Sequence, residues 1–282
     1  MGRAGAASAG RGDDGQAVQV EADADRRNPV TSTARVGVAA AGRALGPVAP
    51  GRGRTGQFSR SIGDPAAPTV EDMNSIASVT LEVADTTAAA RFYSTAFGLD
   101  SSQVRLRASE APTTGFRGFT LSLVVSQPGN VDALVAAALD IGATALKPTS
   151  KSLWGYGGVV QAPDGTIWKI ATSTKKDTGP VTRDFDELVL LLGVEDVKAS
   201  KQFYVEHGLT VGKSFGGKYV EFATGSGPVK LALYKRRALA KDAGVPADGT
   251  GSHRLVLSSA ASLFSDPDGF VWEATAPLTA TA

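Results

Sequence analysis

From Ile76 onward the chain repeats itself, and this duplication constrains its fold more than any other feature. The first copy opens with VTLEVADTTAAARFYSTAFGL (Val79–Leu99) and the second with LLLGVEDVKASKQFYVEHGL (Leu190–Leu209). Each reads as an alternating strand, an aspartate suited to N-capping (Asp85, Asp196), a short helix carrying a Phe-Tyr pair, and then Gly-Leu. Within each helix the Phe-Tyr pair shares a face with Ala89 or Ser200, and Gly98 or Gly208 stands where a C-cap glycine belongs. Alternating segments follow: QVRLRA and FTLSLVV in copy one, then KYVEFAT, VKLALY and SHRLVLS in copy two. Both copies close on a hairpin whose Asp-Gly is a turn signal, VQAPDGTIWKIA (Val160–Ala171) and FSDPDGFVWEA (Phe264–Ala274). The residue after the tryptophan is Lys169 in one copy and Glu273 in the other.

The copies are unequal. Copy one carries a second amphipathic helix, VDALVAAALDIGA (Val131–Ala143), where copy two has only Ser259–Leu263 between a strand and its closing hairpin. A polar linker, Thr172–Asp186, joins them, so the expected domains span residues 73–175 and 184–278. Residues 1–72 are rich in Gly, Ala, Arg and Pro, contain no lysine and show no period. Such a stretch buries too little apolar surface to offset its chain entropy. It reads as a disordered extension, or as sequence upstream of a true start at Met73.

Composition narrows the chemistry. The chain has 282 residues, a net charge of +1, no cysteine and two histidines, His207 and His253. Disulfides, thiol nucleophiles and cysteine-bound metal are therefore excluded. The balanced charge argues against nucleic acid as a partner, and no apolar run is long enough to span a membrane. A cytoplasmic protein is expected, its partner a small molecule, and its state a monomer with paired domains or a homodimer.

The V-x-D-x(6)-F-Y-x(4)-GL opening, one residue shorter in copy two, and the D-P-D-G-x-x-x-E closing hairpin resemble the vicinal oxygen chelate superfamily. That group includes glyoxalase I, bleomycin-resistance proteins, fosfomycin-resistance enzymes and extradiol dioxygenases. The resemblance covers nearly all of residues 76–276. It implies an α+β fold: tandem glyoxalase-like domains of βαβββ units, with curled mixed sheets enclosing a cleft and helices on the convex side.

Strand alternation assigns faces. With the resemblance placing Glu273 on the concave side, Trp272 and Trp168 turn to the helix-packed core. By parity the concave face of domain two carries Tyr219, Glu221, Lys230, Tyr234, His253 and Glu273, although Leu255 and Leu257 share the parity of His253. Domain one offers Arg105, Arg107, Thr120, Ser122 and Lys169. Arg105, Arg107 and Lys169 suggest an anionic ligand, since guanidinium forks match carboxylate or phosphate; the competing reading leaves these cations solvated or pairs them with Glu221 and Glu273 across a domain interface. Trp154 and Tyr156, on the glycine-rich loop SLWGYGG, suit a lid or stacking wall, with Tyr219 and Tyr234 as further ligand contacts.

Metal-dependent members of the superfamily use a histidine in the first strand, a histidine opening a middle strand and a glutamate in the closing hairpin. The matching positions are Ser78, Thr120 and Lys169 in domain one, and Val189, His253 and Glu273 in domain two. Neither set is complete, so no cofactor is expected. A divalent metal held by His253 and Glu273 is the lesser alternative. Those two residues are also the candidate catalytic pair, a carboxylate orienting an imidazole. The function that follows is small-molecule binding of the glyoxalase/bleomycin-resistance type without metal; the alternative is a divergent metal-dependent lyase or dioxygenase. Lys235-Arg236-Arg237 reads as a solvated basic patch after a strand.

Overall fold

The computed structural model describes residues 76–153, 155–223, 227–259 and 263–274; the extension expected over residues 1–72 lies outside them. Copy one supplies β1 (Ser78–Val83), α1 (Thr86–Phe97), β2 (Val104–Ala108), β3 (Thr113–Gly115), β4 (Phe119–Val124), α2 (Pro128–Asp140), β5 (Thr144–Ser152), β6 (Gly155–Gln161) and β7 (Ile167–Thr172). Copy two supplies β8 (Glu187–Val194), α3 (Val197–Glu206), β9 (Val211–Phe215), β10 (Tyr219–Phe222), β11 (Lys230–Lys235), α4 (Arg236–Ala243), β12 (Gly249–Gly251), β13 (Leu255–Ser259), β14 (Phe264–Ser265) and β15 (Val271–Ala274). The fold is α+β, and among the described residues no sheet closes into a barrel.

The strands form an eight-stranded sheet, β5-β6-β7-β4-β8-β11-β10-β9, a five-stranded sheet, β14-β15-β13-β1-β2, and a ribbon of β12 with β3. Two βαβββ units make the larger sheet. One is β4-α2-β5-β6-β7 and the other β8-α3-β9-β10-β11, each with its first strand parallel to its last. They join where β4 and β8 run antiparallel, Leu121 opposite Leu190. The leftover pieces do the same in the smaller sheet: β1 pairs antiparallel with β13, Val79 opposite Leu257. Each sheet therefore takes strands from both sequence copies. Pro148 is accommodated because β5 is an edge strand, where a missing N–H breaks no inner ladder.

The helices begin and end as their sequences require. Asp85 accepts from Ala88 N, and Asp196 from Lys198 N and Ala199 N, satisfying donors at the helix starts. Gly98 closes α1 at φ 67°, a left-handed conformation that glycine adopts without a Cβ penalty.

The apolar faces of α1, α2 and α3 cover one face of the strands and build the main core. Trp168 and Trp272 lie fully inside it. Trp168 packs on Tyr93 and Phe97 at ring distances of 5.4 and 4.9 Å; Trp272 packs on Tyr204 and Phe264 at 5.6 and 5.3 Å. The hairpin aspartates lock onto the helix tyrosines. Tyr93 donates to Asp164 at 2.5 Å, and Tyr204 donates to Asp266 at 2.6 Å. In both copies the Phe-Tyr helix is thus held to the closing hairpin, through the aspartate of Pro-Asp-Gly in copy one and through Asp266, the residue just before it, in copy two. Burial, and then the neighbouring carboxylate, push both hydroxyls well above the usual tyrosine range.

One element departs from the sequence expectation. Arg236 and Arg237 are the first residues of α4, and Arg236 is not simply solvated: it donates to Phe116 O at 2.7 Å and Ala247 O at 3.2 Å, with its guanidinium 5.3 Å from the Phe116 ring centre. No helix among the described residues is long and apolar enough to cross a membrane.

Candidate functional site

Register places the side chains on the face of the larger sheet opposite α2 and α3. One row crosses the sheet as Lys169, Ser122, Val189 and Lys230, on β7, β4, β8 and β11. The next runs Thr120, Leu191, Ala232, Glu221 and Lys213, and a third brings Gly193 beside Tyr234 and Tyr219. Seven sequence-derived candidates, Thr120, Ser122, Lys169, Tyr219, Glu221, Lys230 and Tyr234, therefore share one face although they come from different copies.

Helix α4 lies across this face. Leu239, Ala240 and Ala243 form a second apolar cluster with Tyr219, Tyr234, Leu191, Ala232, Val159 and Ile167. Its C-terminal end is held by two lysines of copy one. Lys147 on β5 donates to Lys241 O at 2.7 Å and Asp242 O at 2.6 Å, satisfying carbonyls that a helix end leaves unpaired. Lys169 donates to Asp242 Oδ2 at 2.7 Å, with only 13 % of its side chain exposed. Between α4 and strands β5 to β7 lies a cavity of about 280 Å³. Its polar lining includes Lys147, Ser150, Lys169, Tyr234, Lys241 and Asp242. The Ser122 hydroxyl, beside Lys169 in register, is buried and makes no hydrogen bond to the protein.

The other candidates are elsewhere. Arg105 and Arg107 lie on β2 and Glu273 on β15, in the five-stranded sheet, so Lys169 does not join the two arginines. Arg107 grips Glu273 through two hydrogen bonds of 2.9 and 2.6 Å, with Glu82 3.8 Å away. This is the Arg–Glu pairing weighed from the sequence. The Arg107 guanidinium holds the Glu273 carboxyl below its ordinary range. Tyr156 donates to Asp132 at 2.8 Å on α2, and Trp154 lies outside the described residues.

His253 precedes β13 and does not meet Glu273. Its Nδ1 faces Arg117 O at 2.5 Å and its Nε2 faces Asp268 O at 3.0 Å, while the ring stacks on Phe270. Strand parity could not place it, because the strand begins only at Leu255. A divalent ion needs lone pairs from several converging ligands. Both His253 nitrogens are directed at carbonyl oxygens and Glu273 is clasped by an arginine, so these residues do not fit such an ion. Among the described residues no group of three His, Cys, Asp or Glu side chains is disposed to hold one.

Lys147 and Asp242 did not emerge as site residues from the sequence. The available signal was the apolar spacing of Leu239, Ala240 and Ala243 before Gly244, which marks a short helix with a glycine cap.

No protein-family model matches this chain, and no curated protein sequence matches it. Among solved structures, it is similar to glyoxalase I from Zea mays, with 13 % identity over 70 % of this chain and 90 % of that one, at a TM-score of 0.46. It is also similar to a glyoxalase/bleomycin resistance protein/dioxygenase family enzyme from Burkholderia phytofirmans, with 21 % identity over 36 % of this chain and 99 % of that one, at a TM-score of 0.33. A glyoxalase-related enzyme from Fulvimarina pelagi aligns at 21 % identity over 38 % of this chain and 98 % of that one, at a TM-score of 0.29.

Proposed function

We propose that this chain is a small-molecule binding protein of the glyoxalase/bleomycin-resistance type, working without a metal. The observation that carries this reading is the cavity beneath α4, with the partly buried Lys169–Asp242 pair in its lining. Polar groups that converge beside an apolar wall, here Val159 and Ala238, orient and select a small organic ligand. The volume lies near the lower end of ligand pockets, which suits a ligand of one ring or a short chain. His253 and Glu273, the catalytic and metal candidates, serve instead as ties between loops and between strands.

A thermal-shift screen of small organic molecules on the full chain, followed by calorimetry, tests this. At least one ligand is expected to bind, with affinity reduced at least tenfold by Val159→Trp, which fills the cavity. Affinity unchanged in that variant would place the ligand elsewhere and sink the reading. Chelator treatment is expected to leave binding intact; loss on chelation with recovery on adding manganese or nickel would overturn its metal-free part.

A further inference from the structure

The Lys169–Asp242 contact joins two elements with no other reason to carry opposite charges at that point. Lys169 projects from β7, in the middle of a sheet, onto a face where burying an unpaired ammonium is costly. Asp242 stands in the last turn of α4, where the negative end of the helix disfavours a carboxylate. The pair is thus favourable for the lysine and poorly placed for the aspartate. Other holds on that helix end include Lys147, the small side chains of Ala240 and Ala243, and Val245, whose N–H donates to Ala240 O. Beside Lys169 in register, Ser122 is only 7 % exposed, and its hydroxyl has no partner in the protein. Lys169 and Asp242 both line the cavity, and a largely covered cation there is what a site for a group that accepts hydrogen bonds presents.

We propose that Asp242 is a built-in occupant of a carboxylate site, and that a carboxylate ligand displaces it from Lys169. The proposal rests on the ligand-binding reading of the cavity and adds the ligand's class and a means of regulation. When the ligand enters, its carboxylate replaces the aspartate on the ammonium, and the C-terminal turn of α4 loses one of its anchors. The internal carboxylate sets a threshold, because apparent affinity is reduced by the fraction of molecules in which Lys169 is already occupied. The neighbouring Lys147 and Lys241 add positive potential, which favours an anion over a neutral ligand.

The test is calorimetric titration of the full chain with benzoate and with benzamide, its uncharged analogue, using wild type, Asp242→Asn and Lys169→Gln. Circular dichroism checks that each variant is folded. Benzoate is expected to bind Asp242→Asn at least tenfold more tightly than wild type, to lose that gain in the double variant with Lys169→Gln, and to bind more tightly than benzamide. Trypsin cleavage after Lys241 should become faster in wild type with saturating benzoate. Benzoate binding Asp242→Asn no more tightly than wild type overturns the displacement. If benzamide or another neutral molecule binds the cavity while benzoate does not, the carboxylate class is wrong and the ligand-binding reading stands. If no molecule screened binds any of these folded forms, both fall.

Discussion

Tyr93 and Tyr204 occupy equivalent places in the two copies, but the carboxylates they serve differ in burial. Asp266 is 5 % exposed and also accepts from the backbone N–H groups of Asp268 and Phe270, whereas Asp164 is only partly buried. The Tyr204 hydroxyl further accepts from the Trp272 indole N–H at 3.3 Å. Tyr204→Phe should therefore cost about 2–3 kcal/mol in urea unfolding, and Tyr93→Phe about 1 kcal/mol, because an unsatisfied group costs more the less water reaches it. Two carboxylates are shifted in opposite senses, Glu273 by its arginine and Asp266 by burial. Arg107 lowers the Glu273 carboxyl in the folded state. That contribution is therefore complete above the ordinary glutamate value of about 4.3 and is lost as pH falls through the lower folded value. Burial raises Asp266, so its contribution is complete below the ordinary aspartate value of about 3.9 and is lost as pH rises through the raised one. Replacing Arg107 with Ala should lower stability at pH 7, and the gap to wild type should close as pH approaches 3. A gap that stayed constant over that range would show that the ion pair contributes no pH-dependent stability.

At the level of elements, α4 decides how the cleft face is used. Leu239 is 1 % exposed between the helix and the sheet. Leu239→Ala should cost about 2–5 kcal/mol by opening a cavity that its neighbours cannot fill. Gly193 on β8 must remain small, since a Cβ there would stand 2.8 Å from Gly118 O and 3.2 Å from the Arg236 Cα. Gly193→Ala should therefore lower the melting temperature by several degrees, at about 2–4 °C for each kcal/mol in a chain of this size. The Phe-Tyr helices, their caps and the closing hairpins were legible in sequence because each is fixed by residues close together along the chain. Helix α4 was not, since RRALAKDA offers a short and mostly polar face whose three buried residues acquire meaning only from the sheet beneath. Alternation likewise gave Lys169 its face and could not give it Asp242, which lies 73 residues further along. The grouping of Arg105 and Arg107 with Lys169 failed for the same reason: parity reports which side a residue faces, not which sheet its strand enters.

In the whole molecule the sequence repeat and the sheets follow different divisions. Strands β4 and β1 each carry an apolar edge that pairs antiparallel with copy two, and alternation alone could not tell one edge from the other. Residues 73–178 and 179–282, expressed separately, should each fail to give a folded monomer, because each would expose the edges that join the sheets. Co-expressed, they should form a one-to-one complex that elutes with the full chain on size exclusion; a stable monomer from either half would refute this. The pairing of β1 with β13 also has a consequence during synthesis. Ser78 is translated some 180 residues before its partner Ser258. At about 5–20 residues per second, the side of β1 away from β2 waits roughly 10–35 s for β13 while the eight-stranded sheet can already assemble. The five-stranded sheet is then the last part of the molecule to close, and a ribosome paused in the final quarter of the message leaves a bare strand edge open to whatever other chain is near.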